Sequence, residues 1–363
     1  MNSILHITEV IKGGIASYID ELYLYHKNDD SIKFQFYVSK QEVDELKYVD
    51  KKLIYTFDKK RRSVFFFIKY FFGLINILYI LKPKIIHCHS SFAGFFVRLI
   101  YFIKFWNKPI IIYTPHSWSF MMDTSNFKKK IYIFIERLLS IVTNKIICVS
   151  KYEFDFAASV GLNKNKMQVI YNGVIDKINN HDYKNVQFDS NYINCLYVGR
   201  LDLQKGIDIL ISAFNQLDDR FRLHIVGEKV LSNLDIENNK KCIFYGWVSR
   251  DEIDFFYRKC DIVIVPSRWD GLPIVPLEGM KNSKPLIVSD IGPLKELING
   301  KNGLIFEKAN VDSLVDSLLK IPNCDLDSMG EESRLIFKNN FDSLKTNQKL
   351  NKIYRTYYGG INE

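Results

Sequence analysis

Residues 193–214 read INCLYVGRLDLQKGIDILISAF. The first six are apolar or β-branched and stop at Gly199, which suits a buried strand. Downstream, Ile207, Leu210, Ile211 and Phe214 recur at helical spacing, so residues 199–206 form a loop leading from strand to helix. A strand feeding an amphipathic helix is the repeating unit of a parallel sheet. The unit recurs outward in both directions. Toward the C-terminus come FRLHIV (221–226), CIFYG (242–246), DIVIVP (261–266), PLIVS (285–289) and GLIF (303–306). Toward the N-terminus stand SILHI (3–7), KFQFYV (33–38), KIIHC (84–88), PIIIY (109–113), KIICV (145–149) and QVIY (168–171). Between the two sets, the polar run DKINNHDYKNVQFDSN predicts a linker over 177–192. The chain is therefore read as two similar parallel α/β domains, 1–176 and 193–340, with a last helical segment at 341–363.

A length of 363 residues, 47% of them hydrophobic, is enough for two cores. The six cysteines contain no Cys-x-x-Cys pair, which argues against a disulfide framework or a cysteine zinc site and favours a reducing, cytoplasmic compartment. MNSILHITEVIKGG has neither a basic n-region nor a long apolar h-region, so no signal peptide is expected. The net charge of +9 is lopsided: residues 1–180 hold 26 Lys/Arg against 15 Asp/Glu (+11), and residues 181–363 hold 24 against 26 (−2). The basic half is also rich in aromatic runs, at 59–81, 92–106 and 127–139. Lys and Arg beside aromatic helices suit an anionic membrane surface, at about 1 kcal/mol per near-surface cation. Nucleic acid is the competing polyanion, but no basic recognition helix or RNA-binding signature occurs, so none is expected. Residues 64–81 approach the length of a membrane span, yet Lys69 falls mid-way and Arg62, Lys69 and Asn76 recur every seven residues as one polar stripe. That favours a buried or surface-lying helix over a span.

Open parallel sheets bind ligands beyond the carboxyl ends of their strands. Arg200 and Lys205 lie on such a loop, where an Arg fork, a Lys charge and a helix N-terminus can hold phosphate; the competing reading is two solvated cations. In SRWDGLPIVPLEGM (267–280), Asp270 sits on the loop after a buried strand and Glu278 on the helix that Pro273 opens. Carboxylates there can accept from a vicinal diol, or serve as a helix cap and an exposed helix residue. Neither G-x-G-x-x-G after a strand nor a Walker phosphate loop is present. Asp325-Leu326-Asp327 reads better as a helix cap than as a metal motif, and His87-Cys88-His89 would need a third ligand from elsewhere to hold zinc.

Five blocks in order resemble the family 4 glycosyltransferases: GGIASYI (13–19), IIHCHSSFAGFFVRL (85–99) with YTPHSWSF (113–120), YNGV (171–174), VGRLDLQKGIDILISAF (198–214) and SRWDGLPIVPLEGM. The resemblance implies the GT-B fold, two Rossmann-like domains facing across a cleft that closes on the donor, with a final helix crossing back to the first domain. It implies that Arg200 and Lys205 hold the diphosphate of a nucleotide-sugar, UDP-sugar before GDP-sugar, and that Glu278 accepts from the ribose. Asp270, where relatives usually carry Glu, would contact sugar hydroxyls, and the backbone of Gly271, Leu272 and Ile274 would approach sugar and phosphates. Gly13 and Gly14 would let backbone approach the donor phosphate. His116 would lie beside the donor sugar, although Ser117 replaces the commoner Gly and a plain core role for His116 is the rival. The family retains anomeric configuration and needs no metal or other cofactor. The implied acceptor is a polyprenyl-diphosphate-linked saccharide, used in bacterial capsule, O-antigen or exopolysaccharide synthesis on the inner face of the cell membrane. The rival functions are a GT-B sugar-nucleotide epimerase and a non-catalytic basic protein docking on membranes.

Overall fold

The computed structural model describes residues 2–359 other than 12, 60–62, 105–107, 181, 184, 185, 187 and 230–239. Arg62, Trp106 and part of the expected linker lie outside the described residues. The chain packs as two units, Met1–Asn172 with the segment from Ser343 onward, and Gly173–Asp342.

The first unit runs β1 (Asn2–Thr8), α1 (Gly14–His26), β2 (Ile32–Ser39), β3 (Ile54–Phe57), α2 (Val64–Leu81), β4 (Ile85–His89), α3 (Ser91–Ile103), β5 (Ile110–Thr114), α4 (Asn126–Ser140), β6 (Lys145–Cys148), α5 (Lys151–Ser159) and β7 (Met167–Val169). Its strands are parallel and ordered β3-β2-β1-β4-β5-β6-β7. The second unit runs β8 (Ile193–Val198), α6 (Ile207–Gln216), β9 (Phe221–Val226), β10 (Cys242–Gly246), α7 (Ile253–Lys259), β11 (Ile262–Val265), α8 (Ile274–Lys281), β12 (Leu286–Ser289), α9 (Gly292–Lys295), β13 (Gly303–Phe306), α10 (Val311–Lys320) and α11 (Leu326–Asn340). Its sheet, also parallel, is ordered β10-β9-β8-β11-β12-β13. The last helix, α12 (Ser343–Tyr358), buries Leu350, Ile353 and Tyr354 against Ile4, Ile19 and Phe34 and so belongs to the first unit.

Strand order decides where ligands can sit. Each sheet reverses its winding once, between β1 and β4 in the first and between β8 and β11 in the second, and a reversal opens a crevice at the carboxyl ends of the two strands concerned.

Two features depart from the sequence reading. Residues 54–57 form an edge strand, pairing with β2, that the sequence reading lacks. Residues 176–179, at the start of the expected linker, are fastened to the second unit: Arg334 pairs with Asp176 at 2.7 Å, Lys281 donates to the Lys177 carbonyl at 3.0 Å, and the Asn179 N–H donates to Asp254 at 2.9 Å.

Helix α2 is long and apolar enough to cross a membrane, but it is one face of a packed layer: Phe66, Tyr70, Leu74, Ile77 and Leu78 are buried against the sheet. Its other side carries Lys69 and Asn76, as the polar stripe predicted, together with exposed Phe65, Ile68, Phe72, Tyr79 and Ile80. Helix α4 likewise turns outward Phe127, Ile131, Phe134 and Leu138, an i, i+4, i+7, i+11 stripe beside exposed Lys128 and Lys130.

Candidate functional site

The reversal between β8 and β11 brings the loops 199–206 and 266–273 side by side. Lys205 Nζ forms an ion pair with Asp270, whose Oδ2 also accepts from Ser267 Oγ at 3.4 Å. Arg200 reaches Gln204 at 2.9 Å and Asp202 at 3.1 Å, and Gln204 in turn donates to the Trp269 carbonyl at 3.1 Å, stitching the two loops together. Asp202 accepts the Lys205 backbone N–H at 2.9 Å, and Arg268 forks onto Asp208 with two bonds of 2.7 Å. Gly206 makes the close approach possible: at φ +70 a Cβ there would stand 2.0 Å from the Pro266 carbonyl oxygen. A small cavity between the strand ends is lined by Lys205, Ser267, Pro273 and Val275.

Asp270 therefore does not cap α8. The cap position is Pro273, one residue earlier than the first-turn place expected for it, and it makes no side-chain cap bond. Gly271 and Leu272 are buried in the loop, and Ile274 is the first residue of α8. Glu278, half-buried on that helix, accepts from Tyr257 Oη at 2.8 Å. Burial lifts its carboxyl above the ordinary range, against the pull of Lys281 and the Tyr257 bond. The capping reading does hold for Asp325, which accepts from the Ser328 N–H at 3.1 Å at the start of α11.

The remaining expected site residues lie in the first unit, at its own reversal between β1 and β4 and on the next strand. Gly13 precedes α1 with φ 70 and ψ −130, a backbone state that needs glycine, and the space where a Cβ would project is open. Gly14 opens the helix. His116 follows β5 with φ 53, and Ser117 has φ 121. Both positions are sparsely populated for side-chain-bearing residues, and such strain concentrates at functional sites. Ser117→Gly is expected to stabilise the first unit by about 1 kcal/mol, read as a raised urea midpoint with unchanged slope; an unchanged or lowered midpoint contradicts it.

Behind His116 lies a histidine cluster that sequence alone could not assemble. Parallel pairing sets His6 of β1 opposite His87 of β4. Nitrogens of His6, His87 and His89 lie within 4.8 Å of one another, a ligand-like grouping in which His6 stands as the third histidine. Protein groups occupy these nitrogens except His6 Nε2: His87 bonds Tyr354 Oη at 2.6 Å and Thr114 Oγ1 at 2.8 Å, while His89 bonds His6 at 3.0 Å and His116 at 3.1 Å. Cys88 points to the opposite face of the sheet, into the other core layer.

Tyr257, Gln204 and Asp202, which touch the candidate residues Glu278, Arg200 and Lys205, were not singled out in the sequence. Asp202 and Gln204 stand inside the block between the two cations, where a polar side chain with no core duty is a legible signal. Tyr257 lies in IDFFYRK and has no such mark.

Residues 13–177 match the model of Glycosyltransferase Family 4 and residues 179–340 that of Glycosyl transferases group 1. An uncharacterized 41.2 kDa protein in the cps region of Klebsiella pneumoniae is 34% identical over 329 residues, 87% of this chain and 89% of that one. An Escherichia coli UDP-Gal:alpha-D-GlcNAc-diphosphoundecaprenol alpha-1,3-galactosyltransferase is 26% identical over 307 residues, 78% of each chain. The crystal structure of Anabaena Alr3699/HepE in complex with UDP and glucose superposes with a TM-score of 0.77 at 16% identity, covering 98% of this chain and 100% of that one. The chain belongs to glycosyltransferase family 4, and its fold is of the GT-B type, two Rossmann-like parallel-sheet units.

Proposed function

We propose that this glycosyltransferase moves a sugar from a nucleotide-sugar, a UDP-sugar, to a saccharide carried on a polyprenyl diphosphate, with retention of configuration and without a metal. The observation that carries the reading is the Lys205–Asp270 pair beside Arg200 at the winding reversal of the second sheet. In the free protein each cation is balanced by an acid, which holds it extended over the loop. Donor phosphates replace those acids as partners, and the charge that builds on the departing diphosphate is neutralised by a guanidinium and an ammonium already in place. Asp270, released from Lys205, then accepts from sugar hydroxyls, and Glu278 accepts from the ribose diol. The departing phosphate takes the acceptor's proton on the same face. His116 contacts the donor sugar, and Gly13, with open space where a Cβ would project, and Gly14 after it admit the donor phosphate. The UDP-bound structural neighbour and the undecaprenol-linked substrate in the relative's name support the donor and acceptor classes. The capsule-region and galactosyltransferase relatives support a place in bacterial surface-polysaccharide synthesis.

Incubating the enzyme with UDP-sugars, with and without polyprenyl-diphosphate-linked saccharide, tests the reading. Transfer only when acceptor is present supports it; conversion of the UDP-sugar without acceptor makes the protein an epimerase instead.

The acceptor is anchored in a bilayer, and the outward stripes of α2 and α4 would meet it from the cytoplasmic side. Phe127 and Phe134 are 74% and 66% exposed, a large apolar area for water to cover. Replacing both with Ser is expected to lower flotation on anionic vesicles at least about tenfold, because each buried aromatic contributes roughly 1.5–3 kcal/mol. Equal flotation of the double variant and wild type contradicts membrane docking through α4.

A further inference from the structure

His6, His89 and His116 form a continuous row. His6 Nδ1 stands 3.0 Å from His89 Nε2, and His89 Nδ1 stands 3.1 Å from His116 Nε2. The rings are nearly parallel, with interplanar angles of 15° and 28°. Tyr18 on α1 caps the edges of His89 and His116, so water does not separate them. Burial keeps all three neutral, which gives each ring one N–H and one bare nitrogen.

Geometry then restricts where the protons go. Each gap between neighbouring rings holds one proton: two N–H groups facing each other at such distances repel, and two lone pairs facing each other leave both unsatisfied. Only two arrangements satisfy both gaps. Either all three rings carry the proton on Nδ1, or all three carry it on Nε2. The far end of the row, His6 Nε2, is buried without a hydrogen-bond partner, so a proton has no exit there. The row is a register, not a conduit.

We infer that His6, His89 and His116 act as one tautomeric unit, in which His6 and His89 are positioning residues that decide whether His116 offers its ligand an N–H or a lone pair. The inference rests on the reading of His116 as a donor-sugar contact. It gives two core histidines, neither of them near the surface, a say in how the sugar is bound. His87 stays outside the unit, because Tyr354 and Thr114 occupy both its nitrogens.

The test is nitrogen-15 NMR of the full-length protein with labelled histidine at pH 7, which reads the tautomer of each imidazole without any ligand. All three rings of the row are expected to show the same tautomer. A mixed pattern, such as Nδ1–H at His6 with Nε2–H at His89, or a doubly protonated ring among them, overturns the inference. His6→Phe, which removes the unpartnered nitrogen and keeps ring stacking, leaves His89 and His116 matched to each other. His89→Phe breaks the row, and donor KM is expected to rise about fivefold, the worth of one hydrogen bond. If His89→Phe leaves donor KM unchanged while His116→Ala raises it, the positioning role is wrong; if His116→Ala also leaves it unchanged, the donor-contact reading of His116 is what fails.

Discussion

Lys205→Ala and Glu278→Ala are each expected to lower kcat/KM at least about a hundredfold, a loss near 2.7 kcal/mol in transition-state stabilisation. The two variants fail for different reasons. On the proposed mechanism Lys205 would meet charge that grows as the diphosphate leaves, so its removal should fall mainly on kcat; it also strands Asp270, which is largely enclosed beside Ser267. On the same proposal Glu278 would hold the nucleoside end in ground state and transition state alike, so its removal should fall mainly on KM. Glu278→Gln retains an acceptor and should recover part of the loss. Activity above a tenth of wild type in both alanine variants contradicts the site.

The second large effect is acid lability confined to one unit. His6, His26, His87, His89 and His116 are all held below the ordinary histidine value, by burial in every case, with His26 and His116 at about 4 and His6 at about 3. In the second unit His224 is the single described histidine so held, also at about 4. A histidine whose folded pKa is depressed stays neutral when folded and is protonated when unfolded. The stability it contributes is thus present above pH 6.5 and is lost as pH falls toward the folded value. Five such groups pack in the first unit against one described in the second, so the first unit should lose stability more steeply as pH falls below 6.5. Hydrogen exchange followed by mass spectrometry between pH 7 and pH 5 should show amides of β1, β4 and β5 losing protection before those of β8, β9 and β11. Simultaneous loss, or earlier opening of the second sheet, contradicts this reading.

Most of the architecture was legible because buried parallel strands read as continuous apolar runs: INCLYV and FRLHIV admit no other placement once the helix after Gly199 is recognised. The strand at 54–57 escaped although LIYTF (53–57) is itself an apolar, β-branched run between Lys51-Lys52 and Asp58; at four residues on a sheet edge it has no helix-length spacing before it to mark it as a further repeat of the unit. In α2 the seven-residue stripe located Lys69 and Asn76 correctly on the outside, yet it could not show that large apolar side chains share that side, because a helix apolar all round does not announce which face is covered. Arg200, Lys205, Asp270 and Glu278 were singled out through their blocks and, for the first three, their positions on loops after strands. The tie between Lys205 and Asp270 depends on the reversal that makes β8 and β11 neighbours, which strand order alone supplies. The histidine row depends in the same way on a parallel pairing between residues some eighty positions apart, a register that no local pattern encodes.

On the proposed function the 199–206 and 266–278 segments grip a nucleoside diphosphate through charge and a diol contact. Titration calorimetry of UDP into wild type, Lys205→Ala and Glu278→Ala measures it without acceptor or turnover. Saturable binding to wild type is expected, with affinity at least about tenfold weaker in each variant and the loss in Lys205→Ala shrinking as salt rises because it is a lost charge contact. Equal affinity in all three proteins would contradict it.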